Sequence, residues 1–149
     1  MDQPTAEEAL ARLEPLVGEW AMEAAWPSGE RWPGGGSVTF EWHPSGAHLV
    51  QRGTVELAEA PDNVSIIGCD GAKDTYIQLY TDERGVCRIY DMSFRDGEWK
   101  LWREGEPFSQ RFTGTFSEDG DTIVGRWEIA EDQVTFVTDF DLVFRRVRS

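Results

Sequence analysis

The sequence predicts an all-β protein: an up-and-down antiparallel β-barrel of about ten strands behind a short N-terminal helix. Three observations carry this. Helical periodicity stops at Pro15, and from Val17 onward apolar and polar residues alternate in short runs. Turn clusters such as Pro27-Ser28-Gly29, Pro44-Ser45-Gly46, Pro61-Asp62-Asn63, Asp70-Gly71, Asp96-Gly97 and Asp119-Gly120-Asp121 recur at regular intervals, as sequential hairpins require. Aromatic residues make up 12% of the chain, and most fall on alternate positions of these runs, where they bring large buried area to one face.

At 149 residues the chain has the length of a single domain, 1–149, without linker or repeat. The helix is expected over 5–15. Thr5-Ala6-Glu7-Glu8 has the capping-box form, and Leu10 and Leu13 share a face at i, i+3 spacing. The barrel is expected over 17–147.

Alternation gives each strand an inner and an outer face, and Trp20 anchors the assignment. With Trp20 inward, Met22, Ala24 and Trp26 follow. The same rule turns inward Val38, Phe40 and Trp42; Leu49, Gln51, Gly53 and Val55; Phe108, Gln110, Phe112, Gly114 and Phe116; and Ile123, Gly125, Trp127 and Ile129. The last stripe runs Val134, Phe136, Thr138, Phe140, Leu142, Phe144 and Arg146, which puts Asp139 and Asp141 on the outside. Val86, Arg88, Tyr90, Met92 and Phe94 form an inner row that carries an arginine. The run Thr75 to Tyr80 permits either orientation, because Tyr76, Gln78 and Tyr80 suit a polar pocket as well as solvent. Inward glycines at 53, 114 and 125 either leave room in the lumen or let a strand bend.

A formal net charge of -14 argues against nucleic acid and anionic membrane surfaces as partners. Cys69 and Cys87 are too few for a disulfide scaffold and read as free thiols. With no secretory leader and no apolar run long enough to span a membrane, a cytoplasmic monomer or homodimer is expected.

The candidate site is the barrel interior. Arg88 and Tyr90, two apart on a strand, share a face and suit one anionic or carbonyl oxygen, unless a carboxylate such as Asp91 or Glu104 neutralises Arg88. The expected ligand-binding set is Trp42, Gln51, Tyr76, Gln78, Arg88, Tyr90, Trp99, Arg103, Gln110, Phe112 and Trp127. Trp26 and Trp32, on either side of a Pro- and Gly-rich connection, suit a lid over a cavity mouth. Two histidines, His43 and His48, are too few for a zinc site, and no metal is expected. Were the cavity catalytic, Arg88 and Tyr90 would be its electrophilic or acid groups and His48 a possible general base.

Gly18-Glu19-Trp20 at the start of the first strand, together with Arg145-Arg146 at the end of the last, resembles the pattern of the calycin superfamily of lipocalin-like and fatty-acid-binding-protein-like barrels. The resemblance implies that Trp20 plugs one end of the barrel and that an arginine lies across it; inward parity selects Arg146. Over nearly its whole length the chain is similar to a bacterial calycin-like domain family of unknown function. Leu16-Val17-Gly18-Glu19-Trp20, Thr39-Phe40-Glu41-Trp42, Leu49-Val50-Gln51-Arg52, Ile67-Gly68-Cys69-Asp70, Arg84-Gly85-Val86-Cys87-Arg88-Ile89-Tyr90 and the stretch from Gln110-Arg111-Phe112 to Gly125-Arg126-Trp127-Glu128 carry this likeness. Met22 and Ala24 stand where nitrobindin-like haem barrels have glycines, and no histidine follows His48, so neither haem nor another cofactor is expected. Fatty-acid-binding barrels place an Arg-x-Tyr on the last strand, whereas Arg88-Ile89-Tyr90 lies mid-chain. The expected function is binding of a small hydrophobic molecule with a polar head group. The alternative is an enzyme that uses the same cavity for cyclisation, isomerisation or another acid/base reaction.

Overall fold

The computed structural model describes residues 6–32, 35–56, 61–70, 75–105 and 107–147. Helix α1 (Ala6–Ala11) and a 3-10 turn (Glu14–Leu16) lead into ten strands: β1 (Gly18–Ala25), β2 (Gly36–Trp42), β3 (Leu49–Val55), β4 (Asn63–Asp70), β5 (Thr75–Asp82), β6 (Cys87–Arg95), β7 (Glu98–Arg103), β8 (Ser109–Phe116), β9 (Thr122–Ala130) and β10 (Val137–Arg146). Each strand pairs antiparallel with the next, and β1 closes the barrel against β10. The ten-strand barrel predicted from alternation is therefore the fold. The expected helix is split in two, because Pro15 has no N–H to continue an α-helix and leaves a 3-10 turn instead. The Thr5 cap lies outside the described residues, as does Gly71 of the expected Asp70-Gly71 turn. No helix among the described residues is long and apolar enough to cross a membrane.

Inner and outer faces follow the alternation in most strands. Trp20, Phe40, Leu49, Ile67, Met92, Phe112 and Ile123 are fully buried. Strand β5 turns Tyr76 and Gln78 into the core, which settles its orientation. Its outer residue Leu79 lies between Ile66 and Ile89 in the cross-strand register, so β5 carries apolar groups on both faces. The inward glycines make room for neighbours. A Cβ on Gly125 would lie 2.6 Å from a Phe112 ring carbon, and one on Gly53 2.9 Å from the Asn63 amide.

Strand β10 departs from the predicted parity. Val134 and Phe136 do not belong to an inward stripe: they precede the strand, Val134 is exposed, and the Phe136 ring lies 4.0 Å from the guanidinium carbon of Arg111. Between Thr138 and Phe140 the register shifts, leaving Asp139 as an extra residue between the Thr138–Glu128 and Phe140–Trp127 pairs. Such a bulge reverses the alternation on one side of itself. Thr138, expected inside, registers against Glu128, whose carboxylate binds Arg111; Asp139, expected outside, joins the inner wall.

The two ends of the barrel differ. At one end α1 and the 3-10 turn pack Leu10, Leu13 and Leu16 into the core. The Trp20 indole N–H donates to the Leu16 carbonyl at 2.9 Å, and Arg146, paired with Trp20 across β1 and β10, places its guanidinium carbon 4.2 Å from the Trp20 ring. Gly18 is needed here: its φ is +130°, and any Cβ would come within 2.9 Å of Arg146 Nη1. At the other end, where β1, β3, β5, β7 and β9 finish, no helix covers the lumen among the described residues.

Candidate functional site

Toward this uncovered end the lumen holds a cavity of about 450 Å³. Its floor and walls come from inward positions of every strand, including Trp99 and Leu101 on β7, Phe112 on β8, Trp127 on β9 and Leu142 and Phe144 on β10. The aromatic rings brace one another. Trp99 meets Phe40 and Phe112 edge-on at centroid distances of 5.8 and 4.9 Å, and Trp127 lies 5.2 Å from Phe112.

Nearer the mouth, the connection after β1 folds back through an Ala25–Arg31 bridge. This stacks Trp26 on Trp32 at 4.8 Å and Trp32 on Phe140 at 5.0 Å, and all three rings line the cavity.

Polar groups are set into this apolar wall at a few points. Gln51, Gln78, Arg88, Tyr90 and Gln110 line the cavity. The Tyr90 hydroxyl donates to Gln110 Oε1 at 2.8 Å. Burial pushes the Tyr90 hydroxyl above the usual phenol range, with Arg88 and Arg103 opposing the rise. Gln51 Oε1, Gln78 Oε1 and the indole nitrogens of Trp32 and Trp99 are buried without a hydrogen-bond partner among the described residues. Buried polar atoms are ordinarily paired, so four such atoms on the wall of one cavity set it apart from the packed core.

At the rim, Tyr80, Asp82 and Arg84 form a closed set. The Tyr80 hydroxyl donates to Asp82 at 2.8 Å, and Arg84 Nη2 donates to the same carboxylate at 2.7 Å. Arg84 holds the Asp82 carboxyl well below the usual carboxylate range, while burial and that carboxylate raise the Tyr80 hydroxyl.

The predicted site residues separate by depth. Gln51, Gln78, Arg88, Tyr90, Trp99, Gln110, Phe112 and Trp127 line the cavity. Trp42 and Tyr76 do not: Trp42 donates its indole N–H to Glu14 at 3.0 Å and Tyr76 its hydroxyl to the Ala9 carbonyl at 2.5 Å, both at the helix-capped end. Arg103 stands beside the cavity rather than on its wall, with its guanidinium over Phe108. His48 stacks on His43 at 4.4 Å in the β2–β3 turn, at the capped end and away from the cavity, and so is not placed to act as a base there. No disulfide joins Cys69 and Cys87. No group of three or more His, Cys, Asp and Glu side chains that could hold a metal ion comes together among the described residues.

Asp139 is the cavity residue that alternation missed. The bulge turns it inward beside Phe140, where it has no hydrogen-bond or ion-pair partner among the described residues, and burial raises its carboxyl above the usual range. A raised folded-state value means that stability is fully present below the unfolded-chain pKa, about 3.9, and is lost as pH rises through the folded value. Asp139→Asn should therefore unfold at a higher temperature than the parent protein at pH 7, with the gap closing toward about pH 3. An equal or lower midpoint at pH 7 would contradict the desolvation of this side chain.

No protein-family model matches the chain, and no curated protein does. A solved structure does. The barrel is similar to that of Rv2717c from M. tuberculosis, with a TM-score of 0.63 at 14% sequence identity over 94% of this chain and 98% of the other. At that identity the likeness concerns the fold, and the match spans the helix-capped end as well as the cavity end.

Proposed function

We propose that the protein binds a small hydrophobic molecule with a polar head group inside the barrel, as the resemblance to calycin barrels implies. The observation that carries this reading is the 450 Å³ aromatic-walled cavity with its few polar groups, open at one end and closed at the other by a packed core. Ligand sites in proteins are typically about 300–1,000 Å³, mostly apolar, with a small number of polar groups that fix orientation. A core needed for stability alone would fill this space, since interiors pack to crystal-like density.

A neutral, polarity-sensitive dye such as N-phenyl-1-naphthylamine tests the reading. One saturable site with blue-shifted emission and quenching of tryptophan fluorescence is expected. Met22→Trp, which adds a ring to the cavity wall, should abolish that signal while the circular dichroism spectrum is retained. Absence of a saturable site in the parent protein would overturn the proposal.

One observation favours a second reading, an enzyme acting on such a molecule by proton transfer or isomerisation: the desolvated Asp139 shares a cavity with Arg88 and Tyr90. A carboxyl so placed suits general acid–base work. On this reading a co-purified ligand returns chemically altered after incubation, and Asp139→Asn binds it but leaves it unchanged.

A further inference from the structure

Acidic residues outnumber Lys and Arg by 28 to 14, so an arginine without a carboxylate partner calls for an explanation. Among the described residues, Arg31, Arg52, Arg84, Arg111, Arg126, Arg145 and Arg146 each lie within ion-pair distance of a carboxylate. Arg12 and Arg95 have none but are exposed. Arg88 and Arg103 are the exception: both are half-buried, neither has a carboxylate partner among the described residues, and Arg103 Nη1 is buried with no hydrogen-bond partner. The acids considered earlier, Asp91 and Glu104, do not pair with Arg88.

The two guanidiniums belong to one place. Their central carbons lie 5.2 and 5.8 Å from the centroid of the same ring, Phe108. Arg103 registers against Gln110, which accepts the Tyr90 hydroxyl, and Tyr90 is two residues from Arg88 on the same face of β6. Arg88 also lines the cavity mouth. The other charged rim groups do not offset this pair: Arg84 and Asp82 neutralise each other, and Asp139 stands on β10, four strands from Arg88 and three from Arg103 around the barrel. Two like charges drawn partly out of water around one ring are costly, and the ring compensates only part of that cost. An anionic oxygen group placed between them would receive charge-assisted hydrogen bonds from both forks.

Resting on the cavity-binding reading above, we propose that the head group is an anionic oxygen group, such as a carboxylate, held at the mouth by Arg88 and Arg103 while the apolar body fills the aromatic cavity. The chain as a whole is strongly acidic, so this selectivity is local. It opposes the long-range field, which salt screens more effectively than close contacts in a half-buried site.

Displacement of the neutral dye by decanoate, 1-decanol and decylamine at pH 7.5 tests the inference, because the three share a tail and differ in head. Decanoate should compete at a concentration about tenfold below that of decanol, the difference expected for one or two charge-assisted hydrogen bonds. Arg88→Leu and Arg103→Leu should each erase most of that preference, read as the ratio of decanoate to decanol competition within each variant. Arg88→Lys, which keeps the charge, should retain part of the preference and guards against a folding defect in the leucine variants. Equal competition by decanoate and decanol in the parent protein would overturn the anionic head, as would a preference for decylamine, which would point to Asp139. Failure of the dye itself to bind would overturn the underlying cavity reading instead.

Discussion

Trp20→Ala should lower folding stability by about 3–5 kcal/mol, the range for truncating a fully buried tryptophan. The position combines three losses. The side chain is wholly buried, so truncation leaves a void where α1, the 3-10 turn and the barrel meet. The Leu16 carbonyl loses the indole N–H that it accepts, and that group stays buried. The Arg146 guanidinium and the Phe116 ring, 4.2 and 6.1 Å from the indole, lose the surface they pack on. Urea unfolding followed by circular dichroism measures the effect as a shift in midpoint at unchanged slope. Equal midpoints for variant and parent would mean that the helix-capped end does not depend on this residue.

Arg146→Leu should cost about 2–4 kcal/mol, more than the ~1 kcal/mol ceiling for surface ion pairs. The guanidinium donates to the carbonyls of Val17 and Pro15 at 2.8 and 2.7 Å and to that of Gly120 at 3.3 Å, and it pairs with Asp121 at 3.2 Å. It thereby ties the last strand to the segment before β1 and to the β8–β9 turn. Leucine keeps apolar contact with Trp20 but leaves those acceptors without their donor. Arg146→Lys should recover only part of the loss, because an ammonium cannot reproduce the planar fork. A double-mutant cycle with Trp20→Ala should be non-additive, since the two side chains are in contact. Simple additivity would contradict the stacking.

Both predictions concern residues that can be singled out in the sequence. Gly18-x-Trp20 and an inward Arg146 are local patterns, and alternation carries their orientation along each strand. What alternation supplies is the face of a residue. It does not supply depth along the barrel axis, which depends on strand register and turn length together. Trp42 and Tyr76 illustrate the difference: both point inward, yet both meet the helix-capped end and its hydrogen-bond partners. Gln51 and Trp127, equally inward, reach the cavity.

Three further features were hidden for identifiable reasons. Strand β5 has apolar residues on both faces because Leu79 joins an outer apolar row with Ile66 and Ile89, so its pattern alone is symmetric. The bulge at Asp139 has no glycine or proline to announce it, and a single extra residue is enough to move a carboxylate from the surface into the cavity. The convergence of Arg88 and Arg103 on Phe108 links three different segments and depends on the β6–β7–β8 register. The turn clusters, by contrast, were legible because each hairpin needs its own local backbone geometry.

On the proposed function, the helix-capped end of the barrel is packed core and the opposite end receives an apolar ligand. A crystal structure of the protein with 12-bromododecanol, collected at the bromine absorption edge, tests this directly. One anomalous bromine peak is expected inside the barrel, among Phe112, Leu142 and Phe144, with the helix-capped end unchanged. A barrel with no bromine peak in its lumen, its cavity taken up by the protein's own side chains, would contradict it.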